Sequence, residues 1–174
     1  MSLIYRKHRG YTLVETIVYA ALVAALLLVI VGSTIALAKG HKRSQAYLDV
    51  NSAAVSAFSR FSRDIRRASS VDTVNSVLGA SSGKLVLNMR RPDGSNDVST
   101  FYLSDTKVKI DKNGVFEGDI TQDNMAVSNL TFRKFTAASS TAIRVEMTLA
   151  PDASSTVPAL NFYGTYVLRG SYTE

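Results

Sequence analysis

The sequence predicts an α+β fold: a long N-terminal helix, membrane-spanning in its first half, packed on an antiparallel β-sheet domain. Three observations carry that expectation. An uncharged, mostly apolar run extends from Thr16 to Ala38. From residue 47 the larger apolar side chains recur at helical spacing, and beyond residue 70 they alternate in short segments separated by turn residues. One helix followed only by strands segregates the two element types, as α+β domains do.

The run 16–38 is long enough to span a bilayer, which takes about 20 residues. It is expected to continue without a break into a second helical stretch, because Tyr47, Val50, Ala54, Phe58, Phe61, Ile65 and Ala68 follow one another at steps of three and four. Arg60, Arg63, Asp64 and Arg67 fall on the opposite face, and Ser69 and Ser70 are read as the end of the helix. The softest point of the span is Gly32, followed by Ser33 and Thr34, since Gly costs a helix about 1 kcal/mol relative to Ala. Local unwinding in an assembly and close packing of small residues between helices both remain open there.

The strands are read over 84–89, 98–103, 127–135, 143–149 and 161–169. In the clearest of them Ile143, Val145, Met147 and Leu149 alternate with Arg144, Glu146 and Thr148. Pro92-Asp93-Gly94 and Asn113-Gly114 are turn signals, because each Gly accepts positive φ. Residues 136–142 and 153–156 are small and polar, and are expected to be exposed loops.

Composition narrows the chemistry. The chain of 174 residues has no cysteine and two histidines, His8 and His41, which excludes disulfides, cysteine–zinc sites and a histidine metal site. No Ser-His-Asp constellation or paired carboxylates stand out, so no enzymatic role is expected. Positive charge concentrates just beyond the apolar run, where Lys39, Lys42, Arg43, Arg60, Arg63, Arg66 and Arg67 face only Asp49 and Asp64. Anionic lipid or acidic protein surfaces suit such a segment.

The most informative string is Gly10-Tyr11-Thr12-Leu13-Val14-Glu15, set between the basic Arg6-Lys7-His8-Arg9 and the apolar run. A carboxylate at the centre of a span costs roughly 2.5–3.5 kcal/mol on insertion scales, so Glu15 at its edge asks for a partner. An ordinary secretory signal is cut after a shorter apolar core, whereas here the glycine precedes the run. This order resembles the class III prepilin signal of the type IV pilin-like and pseudopilin family. The resemblance implies cleavage between Gly10 and Tyr11 by a prepilin peptidase, N-methylation of Tyr11, and pairing of Glu15 with the N-terminal amine of a neighbouring subunit. Tyr11 stands where the family more often has Phe, Gly32 where major pilins often have a proline, and the C-terminal disulfide of many pilins has no counterpart.

The likeness extends downstream. Residues 61–70, Phe-Ser-Arg-Asp-Ile-Arg-Arg-Ala-Ser-Ser, are similar to the helix end of J-type minor pseudopilins and W-type minor pilins. Gly83-Lys84-Leu85-Val86-Leu87, residues 127–132 and residues 165–170 look like strand signatures of that group. The implied organisation is a leader over 1–10, a transmembrane or filament-core helix half over 11–38, an amphipathic half over 39–70 and a β-rich part over 71–174. The implied function is that of a minor pilin or pseudopilin, a structural subunit of a type IV pilus or type II secretion-like filament. It would begin as a single-pass precursor in the cytoplasmic membrane and end in an extracellular or periplasmic filament. Its partners would be other subunits, the peptidase, the inner-membrane assembly platform and, before assembly, lipid.

Two other readings stay beside this one: a single-span anchored surface protein with a β-rich binding domain, and a DNA-uptake pilin using Arg60, Arg63, Arg66 and Arg67. DNA is the less favoured partner, because base-stacking aromatics should share that face and Phe58 and Phe61 fall on or near the buried stripe. Asp111-Lys112-Asn113-Gly114 with Glu117 and Asp119 resembles the front half of a calcium loop. Lys112 opposes a cation there, no bidentate Glu follows at the right place, and an Asn-Gly hairpin needs fewer assumptions. No metal and no cofactor are therefore expected.

Overall fold

The computed structural model describes residues 10, 12–91, 93–137, 140–152 and 157–169. It is α+β. Helix α1 (Leu13–Arg67) precedes eight strands: β1 (Ser70–Val71), β2 (Lys84–Arg90), β3 (Asn96–Ser104), β4 (Lys107–Lys112), β5 (Val115–Asp119), β6 (Met125–Ala137), β7 (Ser140–Pro151) and β8 (Leu160–Val167). Every strand pair is antiparallel, but the strands form two sheets instead of one, ordered β1-β2-β3-β4-β5 and β6-β7-β8. The chain divides into two compact units, Met1–Lys42 and Arg43–Glu174.

In the first unit α1 is long and apolar enough to cross a membrane, with a mean hydropathy of 2.7 over its most apolar window and none of that window buried. Helical structure runs through Gly32 without interruption. The Thr34 hydroxyl donates to the Ile30 carbonyl at 2.9 Å, one turn back across the glycine.

In the second unit the helical stripe is buried at Val50, Ala54, Phe61, Ile65 and Ala68, while Tyr47 and Phe58 are half-buried. Ala53 and Ala57 join it, because a stripe that faces two sheets is wider than a single row. Phe61 sits at the centre, fully buried and edge-on to Phe58 of the helix, Phe101 of β3 and Phe132 of β6, with ring centroids 5.9, 5.2 and 5.9 Å away. It joins the helix to both sheets. β8 closes over the same helix: a Cβ on Gly164 would stand 2.7 Å from Phe58 Cδ1, and the Tyr166 hydroxyl donates to the Phe58 carbonyl at 3.3 Å.

The helix ends at Arg67, ahead of the serines expected to end it. Ser69 N–H donates to the Asn88 carbonyl at 2.8 Å, its hydroxyl donates to the same oxygen at 2.9 Å, and Ser70 pairs with Asn88. Sheet pairing takes the backbone groups that another helical turn would have used. Ile143, Val145, Met147 and Leu149 are buried in alternation, as their spacing requires. Residues 136–142, expected as a loop, mostly extend the β6–β7 ladder to Ala137↔Ser140, and 138–139 lie outside the described residues. The stretch 153–156 and Pro92 of the first turn also lie outside them.

β4 and β5 were not among the expected strands. They form a hairpin on Asn113 and Gly114, both left-handed at φ 51° and 78°. The β3–β4 hairpin turns on Asp105 and Thr106, at φ 52° and 63° with no glycine to announce it. Beyond that turn the Lys107 ammonium donates to the carbonyls of Gln122, Asp123 and Met125 at 2.8, 2.7 and 2.7 Å, tying β4 to the start of β6.

Truncating Phe61 leaves a cavity bounded by all three layers. Phe61→Ala should lower unfolding stability by about 3–5 kcal/mol, read by denaturant titration of the full chain in detergent. A loss of less than about 1 kcal/mol would mean that the core is not organised around this ring.

Candidate functional site

Gly10 is exposed and precedes the helix, and Tyr11 lies outside the described residues. Thr12 caps α1: its Oγ1 accepts from the Glu15 N–H at 3.3 Å, and its carbonyl accepts from the Thr16 N–H at 3.2 Å. Thr12-x-x-Glu15 has the spacing of a capping box, in which residue types at cap and third position serve orphan donors of the first turn. That position also places a carboxylate where the partial positive charge of the helix N-terminus favours it. Glu15 Oε1 accepts from the Tyr19 hydroxyl, one turn on, at 3.3 Å. Sequence reasoning missed both Thr12 and Tyr19, although the capping spacing and the i,i+4 relation were there to find them. Of the predicted processing and assembly residues, Gly10 precedes the cap and Glu15 lies in the first turn of the helix that follows it.

In the second unit the charged residues of α1 do not form one solvated face. Asp64, expected opposite the buried stripe, is 4% exposed. Arg60 Nε donates to its Oδ2 at 3.0 Å, and Arg63 Nε lies 3.8 Å from Oδ1. Arg60 Nη2 also donates to Glu117 of β5 at 2.8 Å, and Lys112 Nζ reaches the other oxygen of Glu117 at 3.2 Å. Burial alone would lower the Arg60 pKa, but the bonds to Glu117 and Asp64 more than offset it and hold the guanidinium charged. A cleft of about 280 Å³ opens beside this cluster, lined by Ser56, Arg60, Ile110 and residues 117–120.

The calcium-like stretch is divided among different partners. Asp111 accepts from the Tyr102 hydroxyl at 3.1 Å, Glu117 is held by Arg60 and Lys112, and Asn113 bonds the Val98 N–H and Asp97. Among the described residues no group of three or more His, Cys, Asp or Glu gathers around a point. Of the four arginines considered for DNA, Arg60 is committed to carboxylates, whereas Arg63, Arg66 and Arg67 are exposed. Phe61 is buried and Phe58 half-buried, so neither is a free stacking platform beside them. Glu146, a lone acid in the sequence, bonds Arg133 and Arg144 at 3.1 Å each.

The geometry comprises a capped helix start carrying a carboxylate and, in the second unit, an ion cluster fastening β5 to the helix. Compared with protein-family models, curated proteins and solved structures, the chain matches none.

Several carboxylates of the second unit titrate below their usual range. For Glu117 burial works upward, and the hydrogen bonds from Arg60 and Lys112 outweigh it. Asp97 is lowered chiefly by the Asn113 side chain, Asp105 by Ser104 and then Lys109, Asp93 by Ser95 and Asp72 by Asn75. A depressed folded-state pKa stabilises above the unfolded value, and that stability is lost as pH falls through the folded value. The melting temperature should therefore stay level from about pH 7 to pH 5 and drop below about pH 4. Glu117→Gln should lower it near neutrality and flatten the acid limb; an unchanged acid limb would remove Glu117 from the acid-sensitive set.

Proposed function

We propose that this chain is a minor type IV pilin or pseudopilin. It is made as a single-span precursor, cleaved after Gly10, methylated at Tyr11 and assembled into a filament or its tip. The observation that carries this reading is one helix with two characters. Its first half is exposed and apolar, starting at a capped turn that bears Glu15; its second half is the spine of an α+β domain. In a filament the apolar half would pack on the same halves of neighbouring subunits. Glu15 would set axial register against a neighbour's amine, which is the best-attested use of a buried charge. The small residues around Gly32 would allow close helix approach there.

A second reading draws on a specific contact. The Tyr19 hydroxyl gives the Glu15 carboxylate a partner within its own chain, which suits a plain single-span anchor carrying the same domain. Processing separates the two. The expected mature N-terminus is Tyr11 with one added methyl group, read by mass spectrometry on native membranes and on sheared surface material. A chain that keeps its leader and stays in the membrane would favour the anchor. Glu15→Ala should insert and fold normally yet be depleted from the sheared fraction. Undiminished incorporation of that variant would end the register role.

A further inference from the structure

Sheet edges expose unpaired backbone groups and are ordinarily kept short, covered or charged. β1 is two residues long. The outer edge of β6 is covered by the segment 79–83 and by Thr106: Gly79 N–H donates to Phe132, Gly83 N–H to Leu130, Leu130 N–H to Ser81 and Val127 N–H to Thr106, all at 2.8–2.9 Å. Among the described residues, β5 and β8 are left as the longer open edges.

β8 is the less protected. Leu168 N–H donates to the Thr141 carbonyl at 2.9 Å, so the backbone groups of Phe162, Gly164 and Tyr166 face β7. Those of Asn161, Tyr163, Thr165 and Val167 face outward, and their side chains are exposed as well. No proline, charge or bulge interrupts this edge. Beside it lies an apolar groove of about 200 Å³, lined by Ala54, Val55, Phe58, Phe162, Tyr163 and Tyr166. A cavity of about 150 Å³ accommodates benzene, so the groove has room for one phenyl ring.

β5 offers what that groove lacks. Val115 and Phe116 are 70% and 56% exposed, and of the two acids that follow in the same strand Glu117 is held by Arg60 and Lys112, which leaves Asp119 as the charge presented to a partner. The sheet that ends in β8 carries exposed positive charge: Arg133 and Arg144 share the single Glu146, and Arg144 stacks on the Tyr163 ring at 5.2 Å. The two edges also flank opposite sides of α1. Arg60 holds β5 and Phe58 meets β8, and positions i and i+2 of a helix point about 200° apart.

We propose that the acidic edge strand β5 of one copy pairs with the open edge β8 of a second copy, with Phe116 entering the groove beside Phe58. The contact is heterologous, so the first copy keeps a free β8 and the second a free β5, and the association can propagate. It involves the unit Arg43–Glu174 alone and does not depend on how the N-terminus is processed.

The chain has no cysteine, so introduced thiols report without background. Two differently tagged full-length copies would be co-expressed in membranes lacking the processing peptidase, which makes the outcome independent of leader cleavage. One would carry Phe116→Cys, the other Tyr163→Cys or Thr165→Cys. Mild oxidation should yield a linked species bearing both tags, with little from Phe116→Cys paired with Val74→Cys. Arg144→Glu on the β8 copy should cut the yield several-fold, and Asp119→Lys on the β5 copy should restore it. No linkage, equal linkage to Val74→Cys, self-linkage of Phe116→Cys, linkage only to another protein, or failure of the charge exchange to restore the yield would each overturn the proposal.

Discussion

Phe61 is the residue on which the second unit depends. Its ring is enclosed by an aromatic of the helix and one from each sheet, all edge-on. Two sheets that do not pair with each other along a full ladder need a shared surface, and the helix supplies it. The alanines at 53, 54 and 57 are part of the same solution: small side chains on one stretch of the helix let the backbone approach the sheets, and Phe61 fills the space one turn on. Packing of this kind is dense enough that a single methylene is felt.

The ion cluster extends that logic to the rim. Asp64 is buried one turn beyond Arg60, and Arg60 reaches across to Glu117 on the last strand of the five-stranded sheet. A buried carboxylate is tolerable only when paired and hydrogen-bonded. The pairing is therefore a condition of letting the helix continue to Arg67 against the sheet. Tertiary context also decides how the helix stops, since Ser69 and Ser70 are claimed by Asn88 before another turn can form.

Much of this was legible in the sequence. The apolar run is read from its length, and the seven-residue stripe and the alternation over 143–149 each express a period that side-chain direction imposes on a helix or strand. Asp64 lies three residues after Phe61 and seven after Ala57, on the buried face by spacing; it was misplaced because the stripe was traced through apolar residues alone and a carboxylate was assigned to solvent by its type. β4 was missed although Val108 and Ile110 alternate with lysines, because a six-residue strand between two tight turns gives a weak signal. The Asp105-Thr106 turn carries no glycine and so lacks the usual mark of positive φ. At the helix start the family likeness drew notice to Glu15, whereas Thr12 and Tyr19 are local capping and i,i+4 relations that needed no likeness at all.

The Tyr166 hydroxyl meets the Phe58 carbonyl across 108 residues of chain. All the ladder pairings, by contrast, join strands adjacent in sequence. Hairpins of that kind close early, because short loops lose little entropy on closure, while distant contacts come late. As the chain emerges from its N-terminal end, the helix face around Phe58 is made first and covered last. Until β8 arrives, the apolar side chains of that face lack the strand that covers them in the folded unit.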